Sequence, residues 1–274
     1  MQAELYRISK NKRSLFFIGF MIAIPLLDFL LSLTQEFQEY LTDPVYYYHY
    51  FQTHPFDHQF DIHPAATSFL AGNTIGHLPQ MLYIWVLPLL LLAINGDYYL
   101  TDMKNGIDSI QLTKLSRKDW LKKRYILTTS LSFIVAFSGL LLNFGLVTLV
   151  FHKGYGFQGL ELYRNPNPTL LNFSIDHPYS IYFAYILVFS VLTALLSILC
   201  LSLSFLFPNP KVVYPACFLI WIIQIIAPNS LTYVMQPFIE YGLDSIIPAL
   251  LVYTGIVLIV TVTAIIYQRR YHEL

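Results

Sequence analysis

The chain has 274 residues, of which 56% are hydrophobic and only 12% charged, with sixteen basic and sixteen acidic side chains in balance. An average soluble domain carries roughly 25% charged residues, so a water-soluble enzyme is excluded: a fold of this size could not hide that much apolar surface. The zero net charge leaves no overall electrostatic footprint for nucleic acid, and no such partner is expected.

Residues 1–13, MQAELYRISKNKR, form a basic amphipathic start. The apolar block 14–34 follows, long enough to cross about 30 Å of hydrocarbon at 1.5 Å per helical residue. It is too long for a signal-peptide core, and no small-x-small cleavage pattern follows it, so a retained helix is expected. Residues 35–77 contain no Lys or Arg and are rich in Tyr, Phe and His, which predicts a large external loop folded into short helices or hairpins against the outer leaflet.

A second apolar block covers 78–98, and residues 96–124, GDYYLTDMKNGIDSIQLTKLSRKDWLKKR, come next. There Ile107, Ile110, Leu115, Trp120 and Leu121 recur at helical intervals among polar residues, with a cap at Ser116. This predicts a short amphipathic helix, a turn at Leu115 and Ser116, and a basic helix leading back into the membrane. The plainer alternative is a basic loop that only sets topology.

Further apolar blocks cover 126–151, 181–207, 212–228 and 246–267. The block 212–228 is short for a span and is interrupted by Pro215 and Gln224, so a broken or re-entrant helix is an alternative there. With six spans, fourteen of the sixteen basic residues fall on one side and only Lys153 and Arg164 on the other. The positive-inside rule makes the first side the cytoplasm. The expected architecture is therefore an all-α polytopic membrane protein of one domain, with six transmembrane helices, both termini cytoplasmic and a large first external loop. Cys200 and Cys217 lie inside apolar blocks and predict buried thiols rather than a disulfide.

The succession Asp102, Asn105-Gly106-Ile107 and Thr113-Lys114-Leu115-Ser116-Arg117 resembles the permease (membrane) subunits of type-2 ABC transporters. Their pattern here is an acidic residue, Gly-Thr-hydrophobic, a short helix, then Thr-Pro-hydrophobic-Ser-Arg; Lys114 stands where that family has Pro, and Asp102 where it has Glu. The resemblance implies that Asp102, Gly106, Ile107, Ile110, Thr113, Ser116 and Arg117 belong to a coupling helix that docks into a separate ATP-hydrolysing subunit. It also implies an N-terminal amphipathic helix on the inner membrane surface, an external re-entrant segment at 229–245, and a second permease chain, identical or related. The implied activity is export of a peptide, antibiotic or lipid-like molecule across the plasma membrane. No Gly-x-x-x-x-Gly-Lys-Ser/Thr pattern occurs, so ATP and Mg are expected on the partner and no cofactor on this chain.

Polar groups inside the blocks are the remaining candidates. Asp28 lies two thirds along the first block, where an ionised carboxylate is costly unless neutralised, paired or wet. It, Asn143 and Gln224 are read either as contacts on a translocation pathway or as interhelical hydrogen-bonding groups. In the run HPFDHQFDIHP, His54, Asp57 and His58 are possible zinc ligands by type, but prolines bracket the run, and the expectation is no bound metal. Asn172-Phe173-Ser174 fits a glycosylation acceptor pattern. Two other classes stay open: a polytopic membrane enzyme, which needs inward-facing catalytic groups at membrane depth, and a non-transporting scaffold or sensor subunit.

Overall fold

The computed structural model describes residues 2–42, 63–71, 77–152, 171–238 and 243–270, and these are helical throughout, with no strand among them. Helix α1 (Gln2–Lys10) presents Tyr6 outward and buries Ile8. Asn11 breaks the helix and caps the next one, its side chain accepting from the Arg13 amide at 3.1 Å. Helix α2 (Lys12–Thr42) follows and extends eight residues past the expected end of the first block.

Helix α3 (Pro64–Thr67) and a 3-10 turn (Phe69–Ala71) precede α4 (His77–Leu91). A π-helical turn (Leu92–Gly96) joins α4 to α5 (Asp97–Lys104), so the second apolar helix runs six residues beyond the predicted boundary at 98. The extra residue of a π turn frees a carbonyl, and the Ser14 hydroxyl donates to Ile94 O at 3.2 Å. Asn105 and Gly106 end the helix; Gly106 takes a φ of 69°, a left-handed conformation that glycine adopts without a Cβ clash. The short α6 (Ile107–Leu112) and the long α7 (Arg117–Val150) follow. The predicted basic helix and third span are thus one continuous helix, capped at Ser116, whose hydroxyl oxygen accepts from the Asp119 amide at 3.1 Å.

The remainder comprises α8 (Leu171–Asp176), α9 (Pro178–Leu206), α10 (Pro210–Ile226), α11 (Thr232–Met235) and α12 (Leu243–Arg270). Among the described residues, five helical stretches are long and apolar enough to cross a membrane: Lys12–Thr34, Leu78–Lys104, Arg117–Val150, Pro178–Leu206 and Leu243–Arg269. That makes the chain a multi-pass membrane protein by the length and composition of its helices. At 17 residues α10 spans about 25 Å.

The direction of each helix follows from its partners. Met21 and Ile22 meet Gly139 while the Pro25 carbonyl meets Asn143, so α2 and α7 run parallel. Tyr253 bonds to Leu192 O, Ser202 to Thr261 and Gln268 to Phe205 O, so α9 and α12 are parallel as well. Between them α10 packs into the same core, where Cys217 is buried with Cys200 and Trp221 donates to Ile84 O midway along α4 at 2.7 Å. Contacts of Arg7 with Asp102, Arg117 with Gln268, and Gln268 with Phe205 gather α1, the α5–α6–α7 connection, the 206–210 turn and the end of α12 at one end.

Close packing centres on α9, the most buried of the five apolar stretches, while α2 and α12 bury about a fifth of theirs. The partly covered helices expose rows of Leu, Ile, Val and Phe, as lipid-facing surfaces do. At Gly139 a Cβ would touch the α2 backbone at 3.4 Å, so the missing side chain is what lets α2 and α7 approach.

Candidate functional site at the basic end of the bundle

The connection between α5 and α7 is held by buried ion pairs. Asp102, on the last turn of α5, is 2% exposed and sits between two guanidinium groups. Arg7 of α1 approaches its Oδ1 at 2.5 Å, and Arg124 of α7 approaches its Oδ2 at 2.6 Å. Arg124 also donates to Asp108 Oδ1 at 3.1 Å, tying in α6. The Tyr98 ring lies 4.9 Å from the Arg7 guanidinium carbon and 5.5 Å from that of Arg124. Trp120 donates to Gln111 at 2.9 Å from the other side. Burial pushes the Asp108 carboxyl up to about 6, reinforced by the Asp102 charge and opposed by Arg124.

Around this anchor the seven predicted coupling residues divide into two groups. Asp102 faces inward, Gly106 supplies the left-handed turn, Ser116 caps α7, and Arg117 donates to Gln268 O of α12 at 3.1 Å. The Thr113 hydroxyl donates to Ile110 O at 2.7 Å and closes the end of α6. Ile107 is half-buried beside the groove described below, whereas Ile110, 61% exposed, is the large apolar side chain that α6 presents outward. The arrangement can transmit force: a push on α6 passes through Asp108, Arg124 and Asp102 into α7, α5 and α1.

A groove with a volume of about 350 Å³ opens beside this anchor, between α1 and α5. Arg7, Lys10 and Arg13 line one wall, Asp97, Tyr98 and Asp102 the other. Arg13 pairs with Asp97 at 2.6 Å. Arg7, Asp108 and Arg124 were not singled out as site residues by sequence; the available signal was that Arg7 and Arg124 lie close to apolar blocks.

At the far end, residues 63–71 enter the bundle instead of lying on the outer leaflet as predicted. Pro64 to Ala71 are almost fully buried. The reason is polar satisfaction: Asn143 accepts from the Phe69 amide at 3.1 Å and donates to the Pro25 carbonyl at 2.7 Å. Tyr182 accepts from the Leu70 amide, Gln80 donates to the Leu70 carbonyl, and His63 Nδ1 accepts from the Ala65 amide. Burial holds His63 below the usual histidine range, in keeping with that acceptor role.

Of the predicted pathway set, Asn143 is thus the pin that holds this plug, and Gln224 is buried with its main-chain carbonyl accepting from Leu231. Asp28 is 1% exposed, and neither carboxylate oxygen has a hydrogen-bond partner among the described residues. His54, Asp57 and His58 lie outside the described residues, within which no cluster of metal-ligating side chains occurs. Most of the predicted external loop and part of the segment 229–245 also lie outside them; among the described residues of the latter, the turn-long α11 is helical before α12 begins.

Comparison with known proteins gives one full-length relationship. No family model matches the chain, and no solved structure matches it. The uncharacterized protein YybM of Bacillus subtilis (strain 168) is 32% identical over 273 residues, covering 100% of both chains, a correspondence that extends through every helix and connection described above; the chain belongs to the YybM family.

Proposed function

We propose that this chain is the membrane-spanning permease subunit of a type-2 ABC transporter, an exporter of a peptide, antibiotic or lipid-like molecule, driven by a separate ATP-hydrolysing subunit. The observation that carries the reading is α6. It is a six-residue helix in the connection between two long apolar helices, anchored by Asp102, Arg124 and Asp108, and it presents Ile110 outward. A short helix anchored in this way can convert movement of a soluble partner into tilting of α5 and α7.

The parallel α9 and α12, with α10 running back between them, support six crossings. The basic residues of α1, the start of α2, the α5–α7 connection, the first turns of α7, the start of α10 and the end of α12 support a cytoplasmic placement of that end, in the plasma membrane. A second permease chain, identical or related, completes the pathway.

The test is co-purification. The tagged full-length chain, extracted in mild detergent from its native membranes, is expected to bring down an ATPase subunit. Ile110→Asp is expected to lose it while retaining the melting temperature of the parent, because most of the Ile110 surface is exposed. Recovery of the parent chain alone, folded and abundant, overturns the assignment.

A further inference from the structure

The groove between α1 and α5 has a chemistry that coupling does not use. Its lining cations Arg7, Lys10 and Arg13 outnumber its carboxylates Asp97 and Asp102 by one, and the adjoining Arg124 and Asp108 cancel each other. Lys10 has no carboxylate partner among the described residues; its ammonium lies 5.6 Å from the Tyr6 ring centroid and is open to solvent. Arg13 is 61% exposed despite its contact with Asp97, so its fork keeps free donors.

The level of the groove matters as much as its charge. Asn11 and Arg13 line it where the basic segment gives way to the apolar helix, and Leu15, Phe16 and Phe20 expose their side chains on the next turns of α2. Tyr6, 65% exposed, lies at the same boundary, where amphipathic rings settle at headgroup depth. A ligand in the groove therefore has water on one side and acyl chains on the other. At about 350 Å³ the cavity is at the small end of ligand-site volumes.

We infer that the groove lined by Arg7, Lys10 and Arg13 between α1 and α5 binds the phosphodiester headgroup of one anionic phospholipid, whose acyl chains lie along the exposed face of α2. Guanidinium forks and an ammonium match phosphate oxygens. Basic pockets beside spanning helices select anionic headgroups. A single monoanionic phosphodiester neutralises the one excess charge, whereas a zwitterionic lipid brings a second cation into a groove already rich in them. Because Arg7 also holds Asp102, a bound headgroup shares that guanidinium and links lipid occupancy to the anchor of α6. The inference rests on the membrane location of the chain, not on the transporter assignment.

The experiment reads lipid retention by native mass spectrometry on the delipidated full-length chain, titrated with phosphatidylglycerol or phosphatidylcholine. The wild type is expected to retain one phosphatidylglycerol in preference to phosphatidylcholine. Lys10→Gln is expected to weaken the first phosphatidylglycerol about fivefold, the contribution of one charge at a membrane surface. Lys118→Gln, which removes a charge from the same end but outside the groove, is expected to leave it unchanged.

Equal losses in the two variants would show diffuse attraction and overturn the site. Complete displacement by millimolar inorganic phosphate would assign the groove to free phosphate and overturn the lipid claim. A Lys10→Gln chain that keeps phosphatidylglycerol but loses a co-purifying protein would reassign the groove to an acidic protein partner. Because the lipid readout needs no ATPase and no transport, its result is independent of the co-purification result.

Discussion

The Asp102 carboxylate lies between Arg124 at 2.6 Å and Arg7 at 2.5 Å, and the Asp102 and Arg124 side chains are almost completely withdrawn from solvent. Removing one member of such a pair leaves an uncompensated buried charge, which costs about 3–5 kcal/mol. Arg124→Met and Asp102→Asn are therefore each expected to lower the detergent melting temperature substantially. The double variant is expected to recover part of the loss, because both charges then disappear together. Additive losses in a double-mutant cycle would show that the two groups are not energetically coupled.

Asp108 makes the stability of this end depend on pH. Its folded carboxyl is raised to about 6 by burial, above the ordinary aspartate value of 3.8. The folded state then binds more protons than the unfolded state between those values, so the Asp108 contribution is complete below about 4 and lost as pH rises through about 6. A wild-type melting curve recorded against pH should fall over that window relative to the Asp108→Asn curve. A difference curve that rises over the same window would contradict the sign.

Asn143 ties three segments with one side chain, accepting from Phe69 and donating to Pro25. Asn143→Leu leaves the buried Phe69 amide without its acceptor, at about 1–3 kcal/mol, and removes the tie to the Pro25 carbonyl. The plug at 63–71 is expected to leave the bundle. A Ser68→Cys reporter, buried in the parent, should become reactive to a membrane-impermeant thiol reagent in the Asn143→Leu background, against a background of the two buried cysteines. Unchanged reactivity would show that apolar packing alone retains the plug.

Asp28 separates structural from functional use by the direction of two effects. A buried carboxylate without a partner destabilises its surroundings, so Asp28→Leu is expected to raise the melting temperature. If Asp28 contacts the molecule that the proposed permease would carry, the same variant loses transport as it gains stability. A variant that loses both would place Asp28 among the groups that hold the bundle together.

Some of this architecture lay in local patterns. Blocks of eighteen or more apolar residues predicted the spanning helices because hydrocarbon thickness and helical rise set their length. The cap at Ser116, the turn at Leu115 and Ser116 and the short helix ahead of them followed from residue preferences acting over a few positions, whereas the left-handed Gly106 and the exposure of Ile110 are seen in the fold. What tertiary structure decided was which distant charges meet. Arg7 and Asp102 are 95 positions apart, and Phe69 and Asn143 are 74 apart. Nothing in a local pattern distinguishes an arginine that sets topology from one that enters a buried pair, or an apolar loop segment that rests on the membrane from one that enters the bundle. Those outcomes depend on which backbone and side-chain groups remain unsatisfied after the helices pack, and that is known only when the helices are assembled.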